Sequence, residues 1–98
     1  MWEHEIIEYK NFLKLERSLS DNSVSAYVND VNKLTSFLKL NHKETIEYSK
    51  IDSNIIQEFV EYLYNLGISS YSQARIISGI KSFFNYLIIE EKIKINPT

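Results

Sequence analysis

The residues of this chain that could do chemistry are hydroxyls, amides and a few cations, spread along two stretches. In "ISSYSQARIISGIKSFFNYL", residues 68 to 87, Arg75, Ser78, Lys81, Ser82 and Asn85 recur at helical spacing around Gly79, with no acid in the whole stretch. In "LSDNSVSAYVNDVNKLTSFL", residues 19 to 38, Ser25, Asn29, Asn32, Lys33 and Ser36 recur in the same way. Small neutral donors seeded with cations suit contact with phosphate oxygens, which helix N-termini also meet with free N–H groups. An outer face of small residues lets a helix approach the major groove of DNA closely. The plain alternative is an ordinary solvated helix surface, and periodicity alone does not separate the two.

No enzyme site is spelled out. Neither His4 nor His42 has a Cys, His or carboxylate at metal-ligand spacing in a convincing motif, and the chain has no cysteine, so neither a metal nor a disulfide framework is expected. Glu58 and Glu61, like Glu44 and Glu47, read as a solvated acidic face, because nothing around them implies a pocket that would raise a carboxyl pKa. Two isolated glycines cannot form a phosphate loop, so no nucleotide cofactor is expected either. Tyr9, Tyr27 and Tyr62 fall near apolar stripes and read as core or boundary residues.

The elements that would position these residues are helices. With two glycines, one proline and no sustained alternation, the chain reads as all-α. Trp2, Ile6, Tyr9 and Leu13 form one stripe of a first helix over about 2–17, widened by Phe12. A second helix begins after Ser20 as N-cap, with Asp21 at the positive end of its dipole, and buries Val24, Tyr27, Val31, Leu34 and Leu38. After the polar connection "NHKETIEYSK", Asp52 or Ser53 caps a third helix that points Ile55, Ile56, Phe59, Leu63 and Leu66 inward and stops at Gly67. Ser70 and Gln73 form a capping-box pattern for a fourth, with Ile76, Ile77, Ile80, Phe83, Phe84, Leu87 and Ile88 apolar. Asn96-Pro97 stops that pattern and reads as the start of a linker, which gives one domain over 1–95.

The two stretches share an outline at an offset of 49 residues: Ser20 with Ser69, Ser23 with Ser72, Leu38 with Leu87. Three identities in twenty positions fit either an internal duplication or two independently capped amphipathic helices. Both lead to two similar helical hairpins packed as a four-helix bundle.

Ninety-eight residues with 44% hydrophobic and 24% charged residues suit a single globular domain. There is no apolar run near membrane-spanning length and no secretory pattern at the start, so a cytoplasmic location with no membrane contact is expected. The net charge of −2 runs against the simplest nucleic-acid reading, but the acids crowd into Glu3, Glu5, Glu8 and Glu16 and into Glu44, Glu47, Glu58 and Glu61. Residues 68 to 87 are free to be locally positive.

"FLKLERSLSDNSVSAYVNDVNKLTSFL" resembles the opening of the tyrosine site-specific recombinases, the phage integrase and Xer family. Phe12-Leu13, Leu19-Ser20, Ser23, Ala26-Tyr27 and Asp30 carry that match. Ser69, Ser72, Arg75, Ser78, Lys81, Phe83, Phe84, Tyr86, Leu87, Asn96 and Pro97 fit a second block of the family. The chain departs from the pattern in carrying Val28 and Asn29 where relatives often place basic residues, Ser23 for the usual threonine, and Lys81 where arginine is common.

The resemblance implies a SAM-like core-binding domain, half of a clamp on double-stranded DNA, whose second and fourth helices meet the recombination site. It also implies a separate catalytic domain beyond the linker and partnership with other recombinase subunits as a tetramer on DNA. The catalytic set is not in this chain, which is expected to be inert alone and to bind DNA weakly and salt-sensitively. The residues then expected at the duplex are Asn22, Ser23, Ser25, Asn29 and Lys33, with Ser72, Gln73, Arg75, Ser78, Lys81 and Ser82. The rival from another class is a helical protein–protein interaction module, docking through the acidic first helix or Trp2.

Overall fold

Side chains of Ser20, Asp52 and Ser69 start three of the four helices. The computed structural model describes residues 1–98 except His42 and Glu44, so the expectations placed on those two lie outside the described residues. The helices are α1 (Glu3–Leu15), α2 (Asp21–Leu40), α3 (Ser53–Asn65) and α4 (Ser70–Ile89), with a 3₁₀ turn at Tyr48–Lys50 before α3. Among the described residues there is no strand, and no helix is long and apolar enough to cross a membrane. The all-α four-helix bundle is as the sequence predicts.

At α2, the Ser20 hydroxyl accepts the Ser23 N–H at 3.2 Å, and at α3 the Asp52 carboxylate accepts the Ile55 N–H at 2.9 Å. Each satisfies a donor that a helix start leaves open. α4 corrects the expectation. Its cap is Ser69, accepting the Ser72 N–H at 3.2 Å, and not Ser70. Gln73 does reach back across the helix start, but to the Ile68 carbonyl at 2.8 Å, one residue before the cap. Gly67, at φ +83°, turns the chain from α3 into this cap.

α2 and α4 pack most extensively on one another and carry the core between them, with Val31, Leu34 and Leu38 facing Ile80, Phe83, Phe84 and Leu87, all fully buried. They meet at their centres. Asp30 and Gly79, each the tenth residue of its helix, touch so closely that a Cβ on Gly79 would come within 2.8 Å of the Asp30 carboxyl carbon.

Tyr86, Phe37 and Asp30 are buried beyond the expected apolar set, while Leu66, expected inside, is 58% exposed. It caps the C-terminal end of α3, where the last turn runs past the core. Trp2 is buried, as its place in the apolar stripe predicts, and not free to dock: it stacks on Phe83 at a ring separation of 6.1 Å and donates its indole N–H to the Ile46 carbonyl at 3.0 Å. An indole so engaged closes the core over the start of α1 and leaves no exposed tryptophan for a partner.

Candidate nucleic-acid interface

The two doubled starts are the same structure built twice. The caps Ser20 and Ser69 have backbone angles of −64°, 158° and −64°, 156°, and in each helix the two serine hydroxyls lie 3.1 Å apart. Ser23 and Ser72 are therefore occupied in capping, as is Gln73. Beyond the caps, burial of one stripe dictates what the other side presents. On α2 the exposed side carries Asn22, Ser25, Asn29 and Lys33. Asn29 and Lys33 border a shallow groove toward α3 whose other wall is Tyr62, Leu66 and Ile68. On α4 the exposed stripe runs Tyr71, Ala74, Ser78, Lys81 and Asn85, spaced three, four, three and four, with no carboxylate anywhere on the helix.

Arg75 lies at the edge of that stripe and is held inward. Its two terminal nitrogens donate to the two carboxylate oxygens of Asp30, at 2.6 and 3.1 Å, while Asp30 itself is fully buried. The bidentate fork matches the carboxylate geometry and supplies both acceptors of a buried charge with a partner. Hydrogen bonding to Asp30 and its charge raise the Arg75 pKa further, so the guanidinium keeps its charge. The Arg75 side chain remains 48% exposed, so this ion pair ties α2 to α4 directly beneath the candidate surface.

Ser82 faces the other edge. The Tyr9 hydroxyl, in a ring with no exposed surface, donates to Ser82 Oγ at 2.9 Å. Burial pushes the Tyr9 phenol up to about 12, the bond to Ser82 offsetting part of that rise. Ser78, Lys81, Ser82 and Asn85 line a shallow hollow together with Arg17 and Tyr27. Arg17 lies in the turn after α1, where Ser18 is left-handed at φ +51° and the Leu19 N–H bonds back to the Leu13 carbonyl at 3.1 Å. Spacing along α2 and α4 did not point to Arg17. The signal that was present is that Arg17 is one of only two arginines in the chain, placed just before the α2 cap. In the neighbouring hollow, across Phe12 and Tyr86, the sign reverses: Glu8, Glu16 and Glu90 gather there.

The structure thus brings Ser78, Lys81 and Ser82 together, sets Asn29 and Lys33 on a separate groove, and commits Ser23, Ser72, Gln73 and Arg75 to internal bonds. Among the described residues, no group of His, Cys, Asp and Glu is gathered that could hold a metal ion.

Residues 6–91 match the family described as phage integrase, N-terminal SAM-like domain. Over 93 residues, 95% of this chain, the sequence is 40% identical to tyrosine recombinase XerD of Staphylococcus epidermidis, 39% to that of Staphylococcus saprophyticus and 37% to that of Staphylococcus aureus. The aligned part is 31% of each relative, so the chain spans about a third of their length. No solved structure matches. A four-helix fold with two alike capped helices, joined through motif residues Asp30 and Arg75, and a family match over most of its length place this chain in the phage integrase N-terminal SAM-like domain family.

Proposed function

We propose that this chain is the DNA-binding domain of a tyrosine recombinase, clamping one side of a double-stranded recombination site while a separate domain breaks and rejoins the strands. The observation that carries the reading is the charge division of the surface. The outer stripe of α4 holds Ser78, Lys81 and Asn85 without a carboxylate, and the acids Glu8, Glu16 and Glu90 lie around a different hollow. A duplex carries closely spaced phosphates, so it settles on the first of these faces and is repelled by the second. The amides and serines of α2 suit the sugar–phosphate backbone in the same way.

In this reading Lys81 and Lys33 supply charge, Asn22, Ser25, Asn29 and Ser78 supply neutral donors, and Arg75 positions α4 through Asp30. Residues 96–98 begin the connection to the catalytic domain. The full-length protein acts with other recombinase subunits on DNA, inside the cell where its DNA lies. Anisotropy of a labelled duplex tests this at two salt concentrations. Lys81→Ala should weaken binding and lower the slope of log affinity against log salt by about 0.9, the value of one phosphate contact. An unchanged slope would remove α4 from the interface.

A further inference from the structure

The hollow between the end of α1 and the middle of α4 has a feature that a plain solvated surface lacks. Tyr9 is fully buried, and its only hydrogen-bond partner among the described residues is Ser82 Oγ. The 2.9 Å bond to Tyr9 fixes the position of the half-buried Ser82 hydroxyl at the rim of the hollow. A hydroxyl held there can donate to an anion in the hollow. Arg17, from the turn after α1, and Lys81, one residue before Ser82, border the same space, and no carboxylate among the described residues lines it. The hollow is about 240 Å³, smaller than the roughly 300–1,000 Å³ of pockets that enclose organic ligands. Its scale and donor set suit a single anionic group.

We propose that this hollow seats one phosphate diester of the DNA backbone, with Arg17 and Lys81 supplying the charge and Ser82 an O–H donor that Tyr9 holds in place. The proposal rests on the DNA-binding reading and adds to it a fixed register: one phosphate, on the α1 side of α4, is held harder than its neighbours. Tyr9 is a positioning residue here, since it acts through Ser82 and has no exposed surface of its own.

The test uses duplexes in which one phosphate at a time is replaced by an uncharged methylphosphonate. The wild-type chain should lose affinity about tenfold at one position, the loss expected of a charge-assisted contact. Arg17→Gln should bind the unmodified duplex more weakly, lower the salt slope by about 0.9, and no longer respond at that position. Ser82→Ala strands the buried Tyr9 hydroxyl, so the double variant Ser82→Ala with Tyr9→Phe, which removes both partners, guards against a folding artefact and should show the same loss of response. A wild-type methylphosphonate profile in Arg17→Gln and in the double variant overturns the seat. If no duplex binds at any salt, the DNA reading fails, and inorganic phosphate decides the seat alone. Amide shifts at Ser78 to Ser82 that vanish in Arg17→Gln would then keep an anion seat for free phosphate and overturn its assignment to DNA. Their absence overturns both.

Discussion

The carboxylate of Asp30 occupies the space that any side chain on Gly79 would need. A Cβ at that position would lie 2.8 Å from the Asp30 carboxyl carbon and 2.9 Å from its Cβ. The closest approach of α2 and α4 is thus made by a glycine against a buried acid, and the acid is in turn neutralised from α4 by Arg75. The two helices that carry the proposed interface are set at a fixed separation by these three residues.

Gly79→Ala should therefore destabilise the fold even though alanine favours helices by about 1 kcal/mol over glycine. Overpacking at a closed contact costs about 1–3 kcal/mol, and here it also displaces the Asp30–Arg75 pair. Chemical denaturation should show a net loss of about 2 kcal/mol. A variant as stable as the parent would mean that α2 and α4 can move apart freely.

Arg75→Ala leaves Asp30 buried without a counter-charge. Removing one partner of a fully buried pair costs about 3–5 kcal/mol, and the half-exposed arginine reduces that to about 2–3. The double variant Asp30→Asn with Arg75→Ala should be more stable than Arg75→Ala alone, since the uncompensated charge is gone. Loss of DNA binding in Arg75→Ala is consequently no proof of a direct contact, and Lys81→Ala is the cleaner probe of the surface.

The serine caps predict a symmetrical result. Ser20→Ala and Ser69→Ala should each cost about 1 kcal/mol, and the two should add, because they start separate helices. Ser70→Ala should change stability by less than about 0.5 kcal/mol, as its hydroxyl is not the cap. An effect at Ser70 equal to that at Ser69 would contradict the assignment.

How much of this was legible in the sequence follows from which signals are local. Ser20, Asp52 and Gly67 announce helix ends through chemistry within a few residues, so the elements were readable. Ser69 and Ser70 are adjacent and both precede a residue that can close a cap, so the choice between them depended on how the chain leaves Gly67. The burial of Asp30, named only as a motif residue, was not legible, because helical spacing cannot reveal that a glycine 49 residues away opens room for it. Arg75 reads as a free cation for the same reason. Arg17 joins the candidate site only through the turn at Ser18, a tertiary effect with no periodic signature.

Alkaline pH should expose the buried phenol. Tyr9 is pushed up to about 12 by burial, above the ordinary value near 10 that it regains on unfolding. The unfolded chain therefore loses this proton first. The associated stability is complete below pH 10 and is lost as pH rises through about 12, a fall of up to about 3 kcal/mol. Tyr9→Phe should be about 1 kcal/mol less stable at pH 8, having lost the bond to Ser82, and should overtake the parent as pH approaches 12. Parallel stability curves would show that Tyr9 ionises freely in the folded chain. Tyr86, also raised to about 12 by burial and then by Glu90 and other nearby acids, remains in both proteins and affects them equally.

The most direct test of the central claim is an amide chemical-shift titration with a short duplex, run at low salt and repeated at physiological salt. The account predicts shifts on the exposed side of α4 from Tyr71 to Asn85 and on α2 from Asn22 to Lys33, shrinking as salt rises, with Glu8, Glu16 and Glu90 unmoved. Shifts centred on those three glutamates, or none at low salt, would contradict it.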